Sequence, residues 1–207
     1  MITTQSQADL SDAPAHWPVE SSEQMLKNPI VSVRRDMVRM PDGQVQCRDM
    51  VVHPGAVAVV ALNDARQVLL VRQYRHPVAE QLWELPAGLR DVPGEPAVET
   101  ARRELHEEAG YQAAYWQALA DAYTSPGFST ELVRFFLARQ LTQVPAAERV
   151  VLVEEEAHLE VGWHSLDYVI SQVLDGKLRN GLLATGVLAA FAALRMGITS
   201  GLQLRRA

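Results

Sequence analysis

The chain has 207 residues, which suits one full domain with a modest appendage. Hydrophobic residues make up 48% and charged residues 21%, enough apolar material for a core that needs no covalent staples. The balance of 19 Lys+Arg against 25 Asp+Glu gives a net charge of −6, which argues against a nucleic-acid scaffold, and the lone Cys47 excludes an internal disulfide or a thiolate metal site.

The first residues, rich in Gln, Ser, Asp, Ala and Pro, show no periodicity and read as a loose tail over residues 1–25. They lack a basic stretch followed by an apolar run, so no secretory signal is expected there. Two β-branched-rich runs, Ile30 to Met40 and Gln44 to His53, flank Pro41-Asp42-Gly43 and predict a β-hairpin within residues 26–54. Cys47 lies in the second run and is read as packing. Strands are then expected at Gly55 to Leu62 and Val68 to Tyr74, with a turn at Asn63-Asp64-Ala65-Arg66. A short strand, Leu82 to Leu85, leads to a Pro-Ala-Gly break and a loop to Glu95.

A helix follows, with Pro96 near its first position and Gly110 as its left-handed terminator. Further strands are expected at Tyr115 to Tyr123 and Leu132 to Ala138, then a glutamate-rich loop at Val153 to Glu156 and a strand ending at Trp163. Helices close the chain near Leu166 to Leu174 and Leu178 to Met196. The apolar run Leu182 to Leu194 is too short to span a bilayer, so a packed helix and a cytoplasmic protein with no membrane partner are expected. Strands without regular βαβ alternation predict an α+β sandwich, its main domain over residues 55–200.

The chemistry concentrates in the helix ending at Gly110. At about 100° per residue, Ala97, Ala101, Leu105 and Ala109 form an apolar face, and Glu104, Glu107 and Glu108 gather beside it. Like charges at this spacing cost a few tenths of a kcal/mol, a cost that becomes a gain when a hard divalent cation sits among them. Arg103, four residues before Glu107, can hold that carboxylate in place. On spacing alone a solvated acidic face and a cation site both remain open.

The whole string resembles the signature of the Nudix family. Arg103-Glu104-Leu105-x-Glu107-Glu108-x-Gly110 matches its helical half, and Glu95 stands eight residues before Arg103 as the family requires. The interval from Gly88 to Glu95 is one residue longer than usual, and Tyr111 replaces an aliphatic residue. The resemblance implies a Nudix α/β/α sandwich with an N-terminal β-hairpin subdomain. It also implies two or more Mg²⁺ ions, with Mn²⁺ as an alternative, held by Glu104, Glu107, Glu108 and the Ala87 carbonyl.

The flanks resemble the ADP-ribose pyrophosphatase branch, and most closely its actinobacterial type. The strings that carry this are Arg72-Gln-Tyr-Arg75-His76, Trp83-Glu-Leu-Pro-Ala-Gly88 and Ser125-Pro-Gly-Phe-Ser129 followed by Glu131, with Pro126 sixteen residues after Gly110. Hydrolysis of ADP-ribose to AMP and ribose 5-phosphate is the implied reaction. Another nucleoside diphosphate-linked substrate is the alternative, and a non-catalytic nucleotide-sensing module a more distant one. Arg75 offers a planar fork for a phosphate oxygen, and Arg48 could do the same; a surface salt bridge is the alternative for each. Glu84 could accept from the adenine amino group or be a strand-edge charge, and Trp83 is read as core. Pro126, Gly127, Phe128 and Ser129 would contact the terminal ribose, or serve only as turn chemistry.

In this branch the base comes from a mobile acidic loop outside the helix. The matching stretch is Glu154-Glu155-Glu156-Ala157, and register to Gly162-Trp163 selects Glu156, with Glu155 second. The resemblance also implies a homodimer in which the N-terminal hairpin crosses to the partner and helps to clamp adenine.

Overall fold

The computed structural model describes residues 10–149 and 159–198. It divides into two compact units with the boundary between Val51 and Val52.

The first unit is a three-stranded sheet in the order β1-β2-β3, formed by β1 (Val19–Lys27), β2 (Ser32–Arg39) and β3 (Val45–Val52). The turn between β2 and β3 is built by Pro41-Asp42-Gly43. Gly43 adopts φ 85°, its N–H donates to Met40 O, and Asp42 Oδ1 accepts from the Gln44 N–H at 3.0 Å. Residues 19–25, expected within a loose tail, instead belong to β1. Every residue of β1 is exposed. The strand therefore carries no apolar alternation to betray it, and its stability comes from the ladder with β2, from Val19↔Val38 to Lys27↔Ser32. The one buried side chain of β2 is Asp36, which accepts from Ser22 Oγ at 2.6 Å and from Arg34 at 3.0 Å.

The second unit has a layered core. A mixed sheet runs β7-β4-β9-β8, from β4 (Ala56–Ala61), β7 (Ala87–Leu89), β8 (Tyr111–Tyr123) and β9 (Leu132–Gln143), with β4 and β9 parallel. A second sheet runs β10-β5-β6, from β5 (Gln67–Arg75), β6 (Glu80–Glu84) and β10 (Glu160–Ser165). All six residues of β4 are buried, as a strand covered on both faces demands. Its side chains alternate. Val57, Val59 and Ala61 join Leu69, Val71 and Phe136 against Ala101, Leu105 and Ala109 of helix α1 (Ala97–Ala109). Ala58, Val60 and Leu62 join Leu70, Leu85 and Phe135 against α2 (Leu166–Leu174) and α3 (Gly181–Arg195). Helices thus cover opposite faces of one β layer. This is the expected α/β/α sandwich.

Several boundaries shift for local reasons. Pro96 is the N-cap of α1, so the helix starts one residue later at Ala97. Gly110 closes it at φ 68° with its N–H on His106 O, and β8 begins at once with Tyr111 instead of Tyr115. The Pro-Ala-Gly segment, expected as a break and loop, contains β7, a three-residue strand too short to show periodicity. In α3, Asn180 Oδ1 caps the Leu183 N–H at 2.8 Å, which delays the start from Leu178 to Gly181.

Candidate active site

The acidic helix and β7 meet through a missing side chain. A Cβ built on Gly88 would lie 2.0 Å from Glu104 Cδ and 2.1 Å from its Oε1, so only glycine leaves room for that carboxylate. Glu104 and Glu108 are 8% and 7% exposed, one helical turn apart on the face of α1 beside its apolar stripe. Of the two readings left open by spacing, a solvated acidic face does not hold for these two residues. Carboxylates this buried need partners.

Those partners are specific. Arg103 Nη1 donates to Glu104 Oε1 at 2.7 Å and to Glu107 Oε2 at 3.2 Å, and its Nη2 lies 3.5 Å from Glu95 Oε2. Burial would lower the Arg103 pKa, but Glu104, Glu95 and Glu107 together raise it above its ordinary value. Glu108 Oε2 accepts from the Ala87 N–H at 2.9 Å. Val59 N–H donates to Pro86 O at 2.8 Å in the antiparallel register Val57↔Gly88 and Ala58↔Ala87. In that register the N–H and C=O of Ala87 point to the same edge, away from β4. The edge that reaches Glu108 therefore also carries the Ala87 carbonyl.

The donor chemistry fits a hard divalent cation: carboxylate oxygens and a backbone carbonyl at one edge, with Gly88 leaving space. Formal charge points the same way, since the three carboxylates of Glu95, Glu104 and Glu107 share the guanidinium of Arg103. Among the described residues, no three His, Cys, Asp or Glu side chains stand as a ready-made metal cluster. Here Arg103 engages Glu104 and Glu107 while Ala87 engages Glu108.

Beyond the carboxyl end of α1 lies a cleft of about 440 Å³, lined by Glu107, Glu108, Tyr111, Arg149 and Trp163 among others. Trp163 Nε1 donates to Tyr111 OH at 3.2 Å, which fixes one wall. The chain leaving β9 is tied to the end of the helix: the Val144 N–H donates to Gly110 O at 2.9 Å, and Arg149 Nε donates back to Val144 O at 3.3 Å.

Two residues expected to read substrate are joined to each other. Arg75 grips Glu84 with both prongs, Nε to Oε1 at 2.9 Å and Nη2 to Oε2 at 2.7 Å, and Gln73 adds a third donor at 3.2 Å. Glu84 is 3% exposed. It is thus a buried carboxylate with its own counter-ion, and not a free strand-edge charge. The segment Pro126, Gly127, Phe128, Ser129 turns tightly, with the Phe128 and Ser129 N–H groups on Ser125 O, and Phe128 is exposed. Its stem is pinned by Thr130, whose hydroxyl accepts from the His53 N–H, and by Glu131, which meets Thr124 Oγ1 and lies 3.7 Å from His53 Nε2. Arg48, in the first unit, is exposed and donates to the neighbouring Cys47 carbonyl. Glu154, Glu155 and Glu156 lie outside the described residues.

Sequence reasoning missed the fully buried Thr100 beside Glu95, the support of Glu84 by Gln73, and Arg149 over Gly110. A threonine among the alanines of an apolar stripe was the available signal for the first. The other two depend on tertiary approach.

The NUDIX domain model matches residues 52–182, and the model of the nucleoside diphosphate sugar hydrolase N-terminal domain matches residues 17–47. The chain belongs to the Nudix family. It is 47% identical over 172 residues to the ADP-ribose pyrophosphatase of Mycobacterium tuberculosis, a span covering 83% of this chain and 82% of that protein. It is 32% identical over 157 residues to the methanol dehydrogenase activator of Bacillus methanolicus, covering 76% and 83%. The Nudix chain also superposes on the crystal structure of an ADP compounds hydrolase with a TM-score of 0.75 at 19% identity, over 90% of this chain and 98% of that one. At that identity the likeness is one of fold.

Proposed function

We propose that this Nudix protein is a divalent-metal-dependent hydrolase that converts ADP-ribose and water to AMP and ribose 5-phosphate. The observation that carries the reading is the pair of buried carboxylates, Glu104 and Glu108, seated against Gly88 and Ala87. The 47% identity to an ADP-ribose pyrophosphatase over most of both chains supports the substrate.

Glu104, Glu107, Glu108 and the Ala87 carbonyl would hold two or more Mg²⁺ ions, or Mn²⁺ in their place. Bound there, such ions supply charge neutralisation for the diphosphate and an activated water for in-line attack on phosphorus. Arg103, bonded to both Glu104 and Glu107, would keep the two carboxylates in register for such ions. Glu156 accepts the proton of the attacking water, with Glu155 as the alternative base. One P–O bond of the diphosphate bridge breaks as the water oxygen forms its own, so AMP and ribose 5-phosphate each leave as a monophosphate. Arg75 and Arg48 steady phosphate oxygens, Glu84 faces the adenine amino group, and Pro126, Gly127, Phe128 and Ser129 border the terminal ribose.

The protein acts as a cytoplasmic homodimer on a small nucleoside diphosphate sugar, with neither nucleic acid nor membrane as a partner. No helix among the described residues is long and apolar enough to cross a membrane. Residues 26–54 serve the dimer and residues 55–200 the chemistry.

A substrate panel tests the proposal: purified protein with Mg²⁺, with and without chelator, and products separated by chromatography. Chelator-sensitive release of AMP, fastest from ADP-ribose, is the expected result. Faster cleavage of another nucleoside diphosphate sugar or of a dinucleotide would keep the acidic helix and replace the substrate. Nucleotide binding without turnover would instead favour a sensing role.

A further inference from the structure

We infer that Thr100 is a positioning residue, whose buried hydroxyl fixes the Glu95 carboxylate that in turn aims Arg103 at Glu104 and Glu107. The inference rests on the hydrolase reading above and extends it by one link. Thr100 lies in the first turn of α1, on the face turned to the core, and is fully buried. Its hydroxyl donates to Glu95 Oε2 at 2.8 Å. The same oxygen stands 3.5 Å from Arg103 Nη2, while Nη1 on the other prong reaches Glu104 at 2.7 Å and Glu107 at 3.2 Å. Arg103 Nε has no hydrogen-bond partner among the described residues. The roll of the guanidinium plane is therefore set by its two ends, and Glu95 holds one of them.

The residue type supports this reading. Alanine is the better helix former, and alanine fills Ala97, Ala101 and Ala109 on the same buried stripe. A β-branched residue with a hydroxyl is the costlier choice at such a site unless the hydroxyl has a partner. Here that partner is a carboxylate, and hydrogen bonds to charged groups are the stronger kind. Glu95 precedes the helix, just after Gly94 at φ 79°, and its side chain is 19% exposed. Without the Thr100 hydroxyl its carboxylate has a route to water, away from Arg103. Partners one layer behind metal-binding groups, the place Arg103 holds, alter affinity or rate by about 10–100-fold, and Thr100, two links further back, is expected at the lower end of that range.

Two substitutions separate positioning from packing. Thr100→Val keeps the shape and removes the hydroxyl, whereas Thr100→Ser keeps the hydroxyl and removes a methyl. Three quantities are measured on the full chain: Mn²⁺ binding without substrate, kcat and KM for ADP-ribose, and the metal-free Tm. Thr100→Val is expected to bind Mn²⁺ about tenfold more weakly and to lose about tenfold in kcat at little-changed KM and Tm. Thr100→Ser should keep Mn²⁺ affinity and kcat near those of the unmodified protein, with a lower Tm. The reverse order, or a Thr100→Val protein that binds Mn²⁺ and turns over normally, would overturn the inference while leaving the hydrolase reading intact. If Thr100→Val does not fold, Thr100→Ala against Thr100→Ser gives the same contrast, since only serine retains the donor. An unmodified protein that binds no Mn²⁺ would overturn the hydrolase reading, and this link with it.

Discussion

Gly88 and Glu104 compete for one small volume, and the carboxylate holds it. The colliding atoms are the far end of a flexible side chain, so the conflict created by a methyl group at position 88 is relieved by swinging Glu104 aside.

Gly88→Ala should therefore cost about 1–3 kcal/mol in stability, because no backbone must move but a buried, paired carboxylate must. Turnover should fall by about 100-fold or more, because the relief displaces an acid of the proposed metal site. Thermal unfolding and steady-state kinetics on the same preparation check this. A large loss of Tm with normal turnover of the folded fraction would contradict it.

Glu156→Gln should lower kcat for ADP-ribose by about 10²–10⁴-fold, the usual worth of a positioned base. Binding of ADP-ribose and Mn²⁺ should persist, as measured by calorimetry. Glu155→Gln run in parallel should be mild; a collapse there instead would transfer the role to Glu155.

Arg75 and Glu84 invite a paired test. Arg75→Ala takes the counter-ion from a carboxylate that is 3% exposed, leaving it the Gln73 donor, and should cost about 1–3 kcal/mol in stability. Replacing both partners, Arg75→Met with Glu84→Leu, should restore much of that stability, since a pair of apolar groups carries no desolvation penalty. If either side chain also meets the substrate, Arg75 at phosphate or Glu84 at adenine, the double variant recovers Tm but keeps a raised KM. Recovery of both would reduce the pair to a structural bridge.

Arg48 is exposed and makes its side-chain contact with the adjacent carbonyl, so Arg48→Ala should leave Tm unchanged and raise KM for ADP-ribose. Light scattering is expected to give twice the 22.9 kDa chain mass. An active monomer would remove the dimer from the proposal.

What could be read in the residues alone was whatever repeats or matches a fixed spacing. The apolar run of β4 marked a strand, the 3.6-residue stripe of α1 marked the buried face of the helix, and the Arg103-to-Gly110 string placed the acids. Strands that owe their existence to a neighbour left no such mark. β1 is exposed at every position and β7 has three residues, so neither shows a period. The pairing of Arg75 with Glu84 was hidden for a related reason. Each looked like an independent polar group: the register sets Arg75 opposite Glu80 and Glu84 opposite Val71, and the two meet because the long Arg75 side chain lies back along the sheet, which no spacing in the sequence foretells.

Gly110 does two jobs with one carbonyl and one backbone angle. By turning left-handed it ends the helix of acids, and by accepting from Val144 it fixes where the chain starts toward the glutamate-rich stretch. The end of the acidic helix and the exit of β9, more than thirty positions apart in the chain, therefore take their bearings from a common point. A side chain at this position would be strained at φ 68° and would meet Arg149 Nε at 3.1 Å, so even a conservative exchange would disturb the end of the acidic helix and the Arg149 contact together.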